Sequence, residues 1–311
     1  MNKLDICTNR CCAICITYNP DHETLLKVVA SCAHQVEKVY IIDNGSSLFI
    51  GHFDGFGNIE NIFLGENRGI AAAINIGINQ ARLDDYKYIL LLDQDSIVPK
   101  DMVNDYLKLM GDLLSSTRQS VAALGPRYQD PRTGGMSFFV RFKWFRNSYL
   151  SNPNNSPFVQ TDFLISSGSF FPVEIFDKVG MFDERLFIDH VDTEWCLRAA
   201  SNGFKFFGIW NVVMEHMIGE GGVNLWLFRW LTQPLHKPFR VYYIVRNSIL
   251  LYRMQHVPLK WISRDVIRLI RLLLVYSIFS QQRMESIRCF FLGIADGVRN
   301  ISGPAPKVIN P

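Results

Sequence analysis

The chain of 311 residues is 48% hydrophobic and 20% charged, a composition that fits a well-packed globular protein and excludes an intrinsically disordered one. Its formal net charge is only +3, but the charge is unevenly distributed. Residues 1–222 contain 19 Lys and Arg against 26 Asp and Glu, whereas residues 223–311 contain 13 against 3. We therefore expect an acidic domain over residues 1–222 and a basic C-terminal region over residues 223–311 that contacts an anionic surface.

Strand-like and helix-like segments alternate over the first 125 residues. Short apolar runs that end in turn residues predict strands, and apolar residues three or four positions apart predict helices. Strands that alternate with helices favour a parallel sheet covered by helices on both faces. The predicted strands span residues 12–18, 38–42, 61–64, 88–92 and 121–124, and the predicted helices begin near residues 21, 69 and 99.

The alternation stops after Pro126. Residues 127–160 are rich in Pro, Gly, Asn and aromatic residues, which predicts a long loop or an irregular hairpin of a kind that often carries function. Beyond this stretch the pattern predicts two more strands and two more helices. The strands span residues 163–167 and 204–213, and the helices span residues 173–179 and 192–201.

The cysteines indicate a compartment rather than a metal site. The chain has seven of them, and no apolar segment typical of a signal peptide is found at its N-terminus, so we expect a reducing, cytoplasmic location. Cys11, Cys12 and Cys15 lie inside an apolar run, with no second Cys or His pair at a zinc-finger spacing. We expect them to be small buried strand residues rather than zinc ligands.

The C-terminal region contains a basic amphipathic helix, predicted over residues 259–279. Lys260, Arg264, Arg268 and Arg271 recur at steps of four, four and three, which places them in one stripe. One interpretation is a helix lying in the interface of a membrane, since the longest uncharged run here is too short to span a bilayer. The other is a helix packed on the main domain with a solvated basic face. The basic character of the whole region favours the membrane.

The strand predicted over residues 88–92 leads directly into Asp93-Gln94-Asp95. An extended chain directs residues i and i+2 to the same side, so the two carboxylates face one point just beyond the strand. Ligands of open α/β sheets bind at this edge, and paired carboxylates suit Mg²⁺ or Mn²⁺ carrying substrate phosphates. A polar turn that closes the strand is the alternative, because Asp and Ser also favour turns.

The ordered series of strand ends resembles glycosyltransferase family 2, the inverting nucleotide-sugar enzymes with the GT-A fold, and most closely the bacterial rhamnosyltransferase branch. The resemblance extends from about residue 11 to residue 250. In the N-terminal half it rests on Thr17-Tyr18-Asn19-Pro20, Asp43-Asn44-Gly45-Ser46, Asn67-Arg68-Gly69-Ile70-Ala71 and Asp93-Gln94-Asp95. Further along it rests on Ser167-Gly168-Ser169, the segment 187–198, Glu215-His216 and the segment 240–247.

The resemblance implies a Rossmann-like sheet and a set of donor-binding residues. It places Thr17 and Asn19 under the nucleoside, and it places Asp43 where a carboxylate accepts the N3–H of uracil or thymine, which cytosine lacks. A tight turn is the alternative interpretation of Asp43. The remaining residues implied to contact the donor or its Mg²⁺ or Mn²⁺ ion are Asn67, Gly69, Asp93, Asp95 and His216.

The same resemblance implies that Asp192 is the catalytic base. Inversion requires a carboxylate on the acceptor side that takes the hydroxyl proton. Capping of the following helix is the alternative role for Asp192, and Asp189 is the main rival for the base. Glu194 and Trp195 are expected to contact the acceptor or to support the site.

We therefore expect transfer of L-rhamnose from dTDP-L-rhamnose to a growing, lipid-linked cell-surface polysaccharide such as O-antigen. A cytoplasmic protein bound peripherally to the inner membrane would meet such an acceptor. One alternative is another donor, UDP-galactose or UDP-galactofuranose, and another is a non-catalytic sugar-nucleotide-binding or scaffold protein. We expect no nucleic-acid partner, because the basic region has no recognisable nucleic-acid-binding motif.

Overall fold

The computed structural model describes most of the chain. The described residues are 10–48, 51, 53–117, 120–131, 134–152, 154–215, 222–226, 230–234 and 236–306.

An eight-stranded mixed sheet forms the centre of the described chain, in the order β3-β2-β1-β4-β9-β5-β10-β8. Strands β3, β2, β1 and β4 run parallel, and so do β5 and β10. Strand β9 is antiparallel to β4 and β5, and β8 is antiparallel to β10. The strands are β1 (Cys11–Thr17), β2 (Lys38–Asp43), β3 (Ile59–Phe63), β4 (Tyr88–Asp93), β5 (Val121–Gln129), β8 (Phe158–Thr161), β9 (Phe170–Pro172) and β10 (Lys205–Glu215).

Four shorter strands form two antiparallel hairpins. Strand β6 (Val140–Lys143) pairs with β7 (Arg146–Tyr149), inside the stretch predicted to be a loop or an irregular hairpin. Strand β11 (Gly222–Trp226) pairs with β12 (Trp230–Pro234).

Helices cover both faces of the sheet, as the alternating pattern predicts. Side chains of β1 alternate between two apolar clusters, with Ile14 in one and Ala13 in the other. Helix α2 packs in the first cluster, and α1 and α3 pack in the second. The helices are α1 (His22–Cys32), α2 (Ile70–Leu83), α3 (Met102–Thr117), α4 (Ile175–Val179), α5 (Val191–Ser201), α6 (Pro238–Leu251), α7 (Leu259–Phe279) and α8 (Arg283–Val298), with a 3₁₀ turn at Glu184–Leu186.

The strand predicted over residues 163–167 is wrong. Strands β8 and β9 lie on either side of this segment, which is irregular. Gly168 has a φ of +72°, and the N–H of Ser169 donates to the carbonyl of Ser166 at 2.9 Å. This turn interrupts the extended chain beside β4, where the N–H of Gly168 bonds the carbonyl of Leu91 at 2.7 Å.

The described cysteines are buried free thiols. Burial raises the pKa of Cys32 to about 12 and the pKa of Cys11 well above its usual value. The cysteines of β1 therefore pack as small apolar residues, as expected from the sequence, while Cys7 lies outside the described residues.

The basic stripe of α7 does not form a solvated surface, which corrects one interpretation made from the sequence. The guanidinium of Arg264 lies 4.6 Å from the ring centre of Phe142 and donates to Asn147 at 2.8 Å, and its burial lowers its pKa to about 10. Arg268 donates to Asp265 at 2.6 Å. Burial also lowers the pKa of Arg271.

The outward face of α7 is apolar instead. The exposed side chains on this face are Leu259, Val266, Ile267, Ile270, Leu274 and Ile278. Within the described residues, no helix is both long enough and apolar enough to cross a bilayer.

Candidate active site

The polar residues that end the parallel strands lie at one edge of the sheet. At this edge the order of the strands changes direction on either side of β1. From β1 the chain adds β2 and β3 on one side, and β4 then pairs on the other side of β1. In register, Thr17 lies opposite Asp43, and Ile16 lies opposite Asp93. The gap between the ends of β1 and β4 is therefore a topological switch point, where open α/β sheets bind their ligands.

Asp43 closes the end of β2 and organises the loop that follows. Its side chain is buried, and one oxygen accepts from the backbone N–H of Ser46 at 3.0 Å. The other oxygen lies 3.4 Å from the hydroxyl of Thr17 and accepts the hydroxyl of Ser46. These bonds fix the loop after β2, in agreement with the alternative interpretation of Asp43 as a turn residue. A carboxylate offers about four acceptor positions, so the same group retains capacity for a ligand N–H.

Asn19 shapes the neighbouring loop from the end of β1. The backbone of Asn19 is in the left-handed region, with a φ of 45°. Its side-chain oxygen accepts from the backbone N–H and the hydroxyl of Ser47, each at 2.9 Å, and its own N–H donates to Ser46 at 2.7 Å. Asn19 thus fixes the position of the loop after β2 relative to β1.

Asn67 and Gly69 join the loop before α2 to the rest of the edge. The Asn67 side-chain oxygen accepts from Asn44 at 3.1 Å and from the N–H of Gly69 at 3.0 Å. Gly69 has a φ of +85°, and a Cβ there would lie 2.6 Å from the carbonyl oxygen of Phe187. The close approach that this glycine allows is therefore to Phe187, whose carbonyl also accepts the N–H of Ile70 at 2.8 Å.

Asp93 is the last residue of β4, Asp95 lies in the turn that follows, and both are partly exposed. The backbone N–H of Asp93 donates to the hydroxyl of Ser167 at 3.0 Å, and Ser167 in turn bonds Ser96 at 2.7 Å. The intervening Gln94 accepts from the N–H of Tyr18 at 2.8 Å. These contacts fix the turn at the switch point with its carboxylates accessible from solvent.

The residues present are chemically suited to Mg²⁺ or Mn²⁺, since carboxylate oxygens are the preferred ligands of both ions. Among the residues that the structure describes, however, no three His, Cys, Asp or Glu side chains cluster closely enough to hold a metal ion. His216, the third ligand implied by the resemblance, lies outside the described residues. Strand β10 ends beside this turn, because the carbonyl of Glu215 accepts the N–H of Ile97 at 3.2 Å.

Asp192 lies in the first turn of α5, with its carboxylate in a strongly desolvated position. It lines a small apolar cavity together with Phe171, Phe182, Trp195 and Phe206 among others. Burial raises the pKa of Asp192 to about 6, and the negative charge of Asp93 adds to the rise, while hydrogen bonds from Ser166 oppose it. The N-cap of α5 is His190 rather than Asp192, so the capping alternative does not describe this carboxylate.

Asp189, the rival base, is engaged in an ion pair. The guanidinium of Arg240 donates to one carboxylate oxygen at 2.6 Å and to the other at 3.3 Å. A bidentate pair of this kind fixes the geometry of both side chains. Asp189 is thus placed to hold its loop against α6.

Glu194 and Trp195 are buried in the core, and neither is placed to contact an acceptor. Glu194 accepts two hydrogen bonds from Arg198, each at 2.8 Å, and lies 3.0 Å from His256. Burial would raise the pKa of Glu194, but the bonds from Arg198 and His256 outweigh it and lower the pKa. Trp195 packs face to face with Phe182, at 5.5 Å between ring centres.

Several residues of the site carry no assigned role in the sequence interpretation. Ser166 and Ser167 bond Asp192 and the backbone of Asp93 respectively. The hydroxyl of Tyr128 donates to the carbonyl of Ser167 at 2.8 Å. The segment 167–169 stands out in the sequence as a motif, but only the fold shows that Ser167 bonds the backbone of Asp93 while the adjacent Ser166 bonds Asp192.

The fold and the polar switch point are those of a nucleotide-sugar enzyme of the GT-A type, and the comparisons with known proteins agree. Residues 12–180 match the family Glycosyl transferase family 2. The chain therefore belongs to glycosyl transferase family 2, as the motif series predicts.

A curated relative matches nearly the whole chain. It is the dTDP-rhamnosyl transferase RfbF of Shigella flexneri, which is 33% identical over 297 residues, covering 94% of this chain and 96% of that protein.

Solved structures show the same fold at low sequence identity. S. aureus TarS 1-349 in complex with UDP-GlcNAc superposes with a TM-score of 0.56 at 14% identity, covering 96% of this chain and 82% of that one. The chain spans only 50% of the longer S. aureus TarS structure. GalNAc-T7 with UDP, GalNAc and Mn²⁺ gives a TM-score of 0.57 at 15% identity, covering 94% of this chain and 57% of that one. These similarities confirm the GT-A fold.

Proposed function

We propose that this enzyme transfers L-rhamnose from dTDP-L-rhamnose to a hydroxyl of a saccharide acceptor, with inversion at the anomeric carbon. The observation that carries the choice of donor is the identity of 33% to a dTDP-rhamnosyl transferase along almost the entire chain. The reaction forms a bond from the acceptor oxygen to the anomeric carbon, breaks the bond from that carbon to the diphosphate, and releases dTDP.

The donor is proposed to bind at the switch point. Thr17, Asn19 and Asp43 surround the nucleoside, with the Asp43 carboxylate accepting N3–H of thymine. Asn67 and Gly69 border the same edge, and Asp93 contacts the nucleotide. The hydrogen bonds that already fix these side chains support this arrangement, because a site fixed before binding loses less conformational freedom when its ligand arrives.

Asp95, with Asp93, is proposed to hold Mg²⁺ or Mn²⁺ on the donor diphosphate, together with His216. A divalent cation held by these residues would supply positive charge that stabilises the diphosphate as a leaving group. Support comes from the partial exposure of both carboxylates and from the solved GT-A structure that contains UDP and Mn²⁺.

Asp192 is proposed to remove the proton of the acceptor hydroxyl. With a pKa of about 6, it is largely ionised near neutral pH and still basic enough to accept the proton as the oxygen attacks. Its elevated pKa and its proximity to Asp93 favour it over Asp189, whose two oxygens are both bound by Arg240.

A screen of nucleotide sugars tests the donor. The purified chain is incubated with Mn²⁺ and either dTDP-L-rhamnose, UDP-galactose or UDP-galactofuranose, and release of the nucleoside diphosphate and the shift in melting temperature are measured. A ligand that binds only the folded state raises its melting temperature. We expect turnover with dTDP-L-rhamnose alone. Turnover of a UDP-sugar would show that this sugar, and not dTDP-L-rhamnose, is the donor. A raised melting temperature without any turnover would favour the sugar-nucleotide-binding alternative.

The acceptor is proposed to be lipid-linked, and the protein to bind the cytoplasmic face of the membrane through α7. Its outward face is a row of apolar side chains, and the surrounding region 223–311 carries 13 basic against 3 acidic residues. Exposed arginines, including Arg283 and Arg288, lie on the adjoining helix α8. An apolar face flanked by cations suits a helix lying among anionic headgroups.

Vesicle sedimentation tests this attachment. The double variant Ile270→Glu/Leu274→Glu places two charges in the outward face of α7 and should reduce binding to phosphatidylglycerol-containing vesicles at least tenfold. Arg288→Gln, which removes one exposed charge, should weaken binding by a smaller factor that disappears at high salt. Unchanged binding by the double variant, with an unchanged melting temperature, would exclude this face as the attachment site.

A further inference from the structure

We infer that helices α6 and α7 position the catalytic base, and that Arg240, Asn247 and Arg268 are positioning residues for Asp192. The inference rests on the proposed role of Asp192. It concerns the segment 186–190, called here the base loop, which joins the 3₁₀ turn to α5 and ends two residues before Asp192.

The base loop has a conformation that it would not adopt alone. Phe187, Asp189 and His190 have φ values of 64°, 63° and 62°, in the left-handed region that non-glycine residues seldom occupy. Such backbone persists only where the surroundings determine it, and it concentrates at functional sites. The contacts that impose this conformation are therefore informative.

Helix α6 supplies the first of these contacts through Asn247. Its buried side-chain amide donates towards three carbonyl oxygens of the base loop, those of Leu186 at 2.9 Å, Ile188 at 2.8 Å and Asp189 at 2.9 Å. The neighbouring Arg246 also donates to the carbonyl of Leu186, at 3.1 Å. Backbone carbonyls that converge on one amide fix the curvature of the loop.

A second contact comes from the other end of α6, where Arg240 forms the bidentate pair with Asp189. The side chain of Asp189 is 12% exposed and that of Arg240 is 34% exposed. The pair therefore lies at the rim of the site, where a substitution can be made without opening the core.

The third contact involves helix α7 and the partly buried imidazole of His190. Arg268 donates to Nε2 of His190 at 2.9 Å, and Ser248 lies 3.1 Å from the same nitrogen. Because a guanidinium only donates, Nε2 acts as the acceptor and the imidazole is neutral. Burial and the charge of Arg268 lower the pKa of His190 to about 4. The fully buried carboxylate of Asp265 accepts a hydrogen bond from Nε of Arg268 at 2.6 Å.

The base loop also contacts the donor side of the site. The carbonyl of Phe187 accepts the first N–H of α2, and the Phe187 ring stacks on Tyr243 of α6 at 5.4 Å. One segment thus contacts the start of α2, is fixed by α6 and α7, and leads into the helix that carries Asp192. The C-terminal helices are therefore part of the catalytic unit.

Substitution at the rim tests the inference. Arg240→Gln removes the ion pair and leaves the core intact. We expect release of dTDP from dTDP-L-rhamnose to slow by roughly 10- to 10²-fold, because a small displacement of a catalytic group has an effect of this size. Affinity for dTDP, measured by calorimetry, should stay within twofold of the native value. Lys108→Gln, an exposed cation on α3, is the matched control and should leave both quantities unchanged.

A double-mutant cycle and amide exchange complete the test. If Arg240 and Asp189 act as one unit, Asp189→Asn combined with Arg240→Gln should cost no more than either change alone. Amides of residues 187–192 should exchange faster in Arg240→Gln. Turnover within threefold of native, or equal losses of turnover and dTDP affinity, would overturn the inference. If the native chain releases no dTDP from this donor, the proposed function fails, and unchanged exchange would then overturn the inference separately.

Discussion

The two halves of the site are built in different ways. At the donor edge, side chains such as Asn19, Asp43 and Asn67 are fixed by bonds between neighbouring strand-end loops, and Asp93 and Asp95 remain partly exposed. On the acceptor side, Asp192 is desolvated and its loop is fixed by helices that lie 50 to 80 residues further along the chain. We expect a donor edge of this kind to bind charge, and the desolvated, tightly fixed carboxylate of Asp192 to transfer a proton. Substitutions in the two halves should therefore have different effects on nucleotide binding and on turnover.

Metal removal should have the largest effect on the donor half. Excess chelator is expected to reduce transfer to background, and Mg²⁺ or Mn²⁺ should restore it, because the diphosphate charge is otherwise uncompensated. Asp95→Ala should be nearly inactive even with added metal. Nucleoside diphosphate release, measured with and without chelator, checks both expectations. Full activity in excess chelator would remove metal from the mechanism.

Asp192→Asn should have the next largest effect, and on turnover alone. The amide keeps the shape of the side chain but cannot accept the acceptor proton, so turnover should fall by roughly 10²–10⁴-fold. Affinity for dTDP should stay near the native value, because the proposed donor contacts come from other segments of the chain, at the ends of β1, β2 and β4 and before α2. Steady-state kinetics and calorimetry measure the two quantities.

The matched variant Asp189→Asn separates the two carboxylates. It should lose less turnover than Asp192→Asn, because it weakens an ion pair that positions the base but keeps the base carboxylate itself. The opposite order would transfer the role of base to Asp189. Loss of dTDP affinity in Asp192→Asn would show instead that the two halves of the site are not separable.

Discrimination between nucleotide bases at the donor edge should have a moderate effect on binding affinity. Thymidine and uridine diphosphates present N3–H to Asp43, whereas cytidine diphosphate does not, so the cytidine nucleotide should bind more weakly by about 1–3 kcal/mol. Calorimetric titration of the three nucleotides measures the difference. Equal affinities would leave Asp43 with the turn as its only role.

A smaller effect concerns stability, and it distinguishes the desolvated carboxylate of Asp192 from a solvated surface carboxylate. The folded state raises the pKa of Asp192 from 3.8 to about 6, so folding favours the protonated form. This stabilisation is present below about pH 4 and is lost as the pH rises to about 6. At pH 7 Asp192→Asn should therefore melt a few degrees higher than the native chain, and the gain should shrink at pH 4.

The exposed Asp54→Asn serves as the control for this measurement, since its side chain is solvated. Its melting temperature should match that of the native chain at both pH values. A lower melting temperature for Asp192→Asn at pH 7 would show that the hydrogen bonds from Ser166 outweigh the burial of the charge.

The donor edge could be predicted from the sequence because the rule that creates it is simple. Consecutive parallel strands place their carboxyl ends at one edge, so Asp43 and Asp93 had to lie near each other once the strands were recognised. The predicted strand at residues 163–167 fails because Gly168 turns the chain between Ser166 and Ser169, and a short apolar run does not reveal such a turn.

The orientation of α7 could not be predicted, because helical spacing shows which residues share a face but not which face is buried. This helix has apolar side chains on two sides of its basic stripe, with Leu269 and Tyr276 buried and Ile270 and Leu274 exposed. The inward orientation of Arg268 depends on His190, a residue 78 positions away. Buried Asp265 within the stripe is the one local sign that these cations have partners in the protein.

The order in which the base loop and its partners occur along the chain has a consequence for synthesis. A ribosome produces the donor edge and Asp192 well before it produces Arg240, Asn247 and Arg268, and N-terminal units generally fold first. A nascent chain that has reached residue 230 already contains the strands of the proposed donor edge, but its base loop still lacks the helices that shape it. We expect such a chain to bind the sugar nucleotide without hydrolysing it, and the enzyme to become active only when α6 and α7 dock.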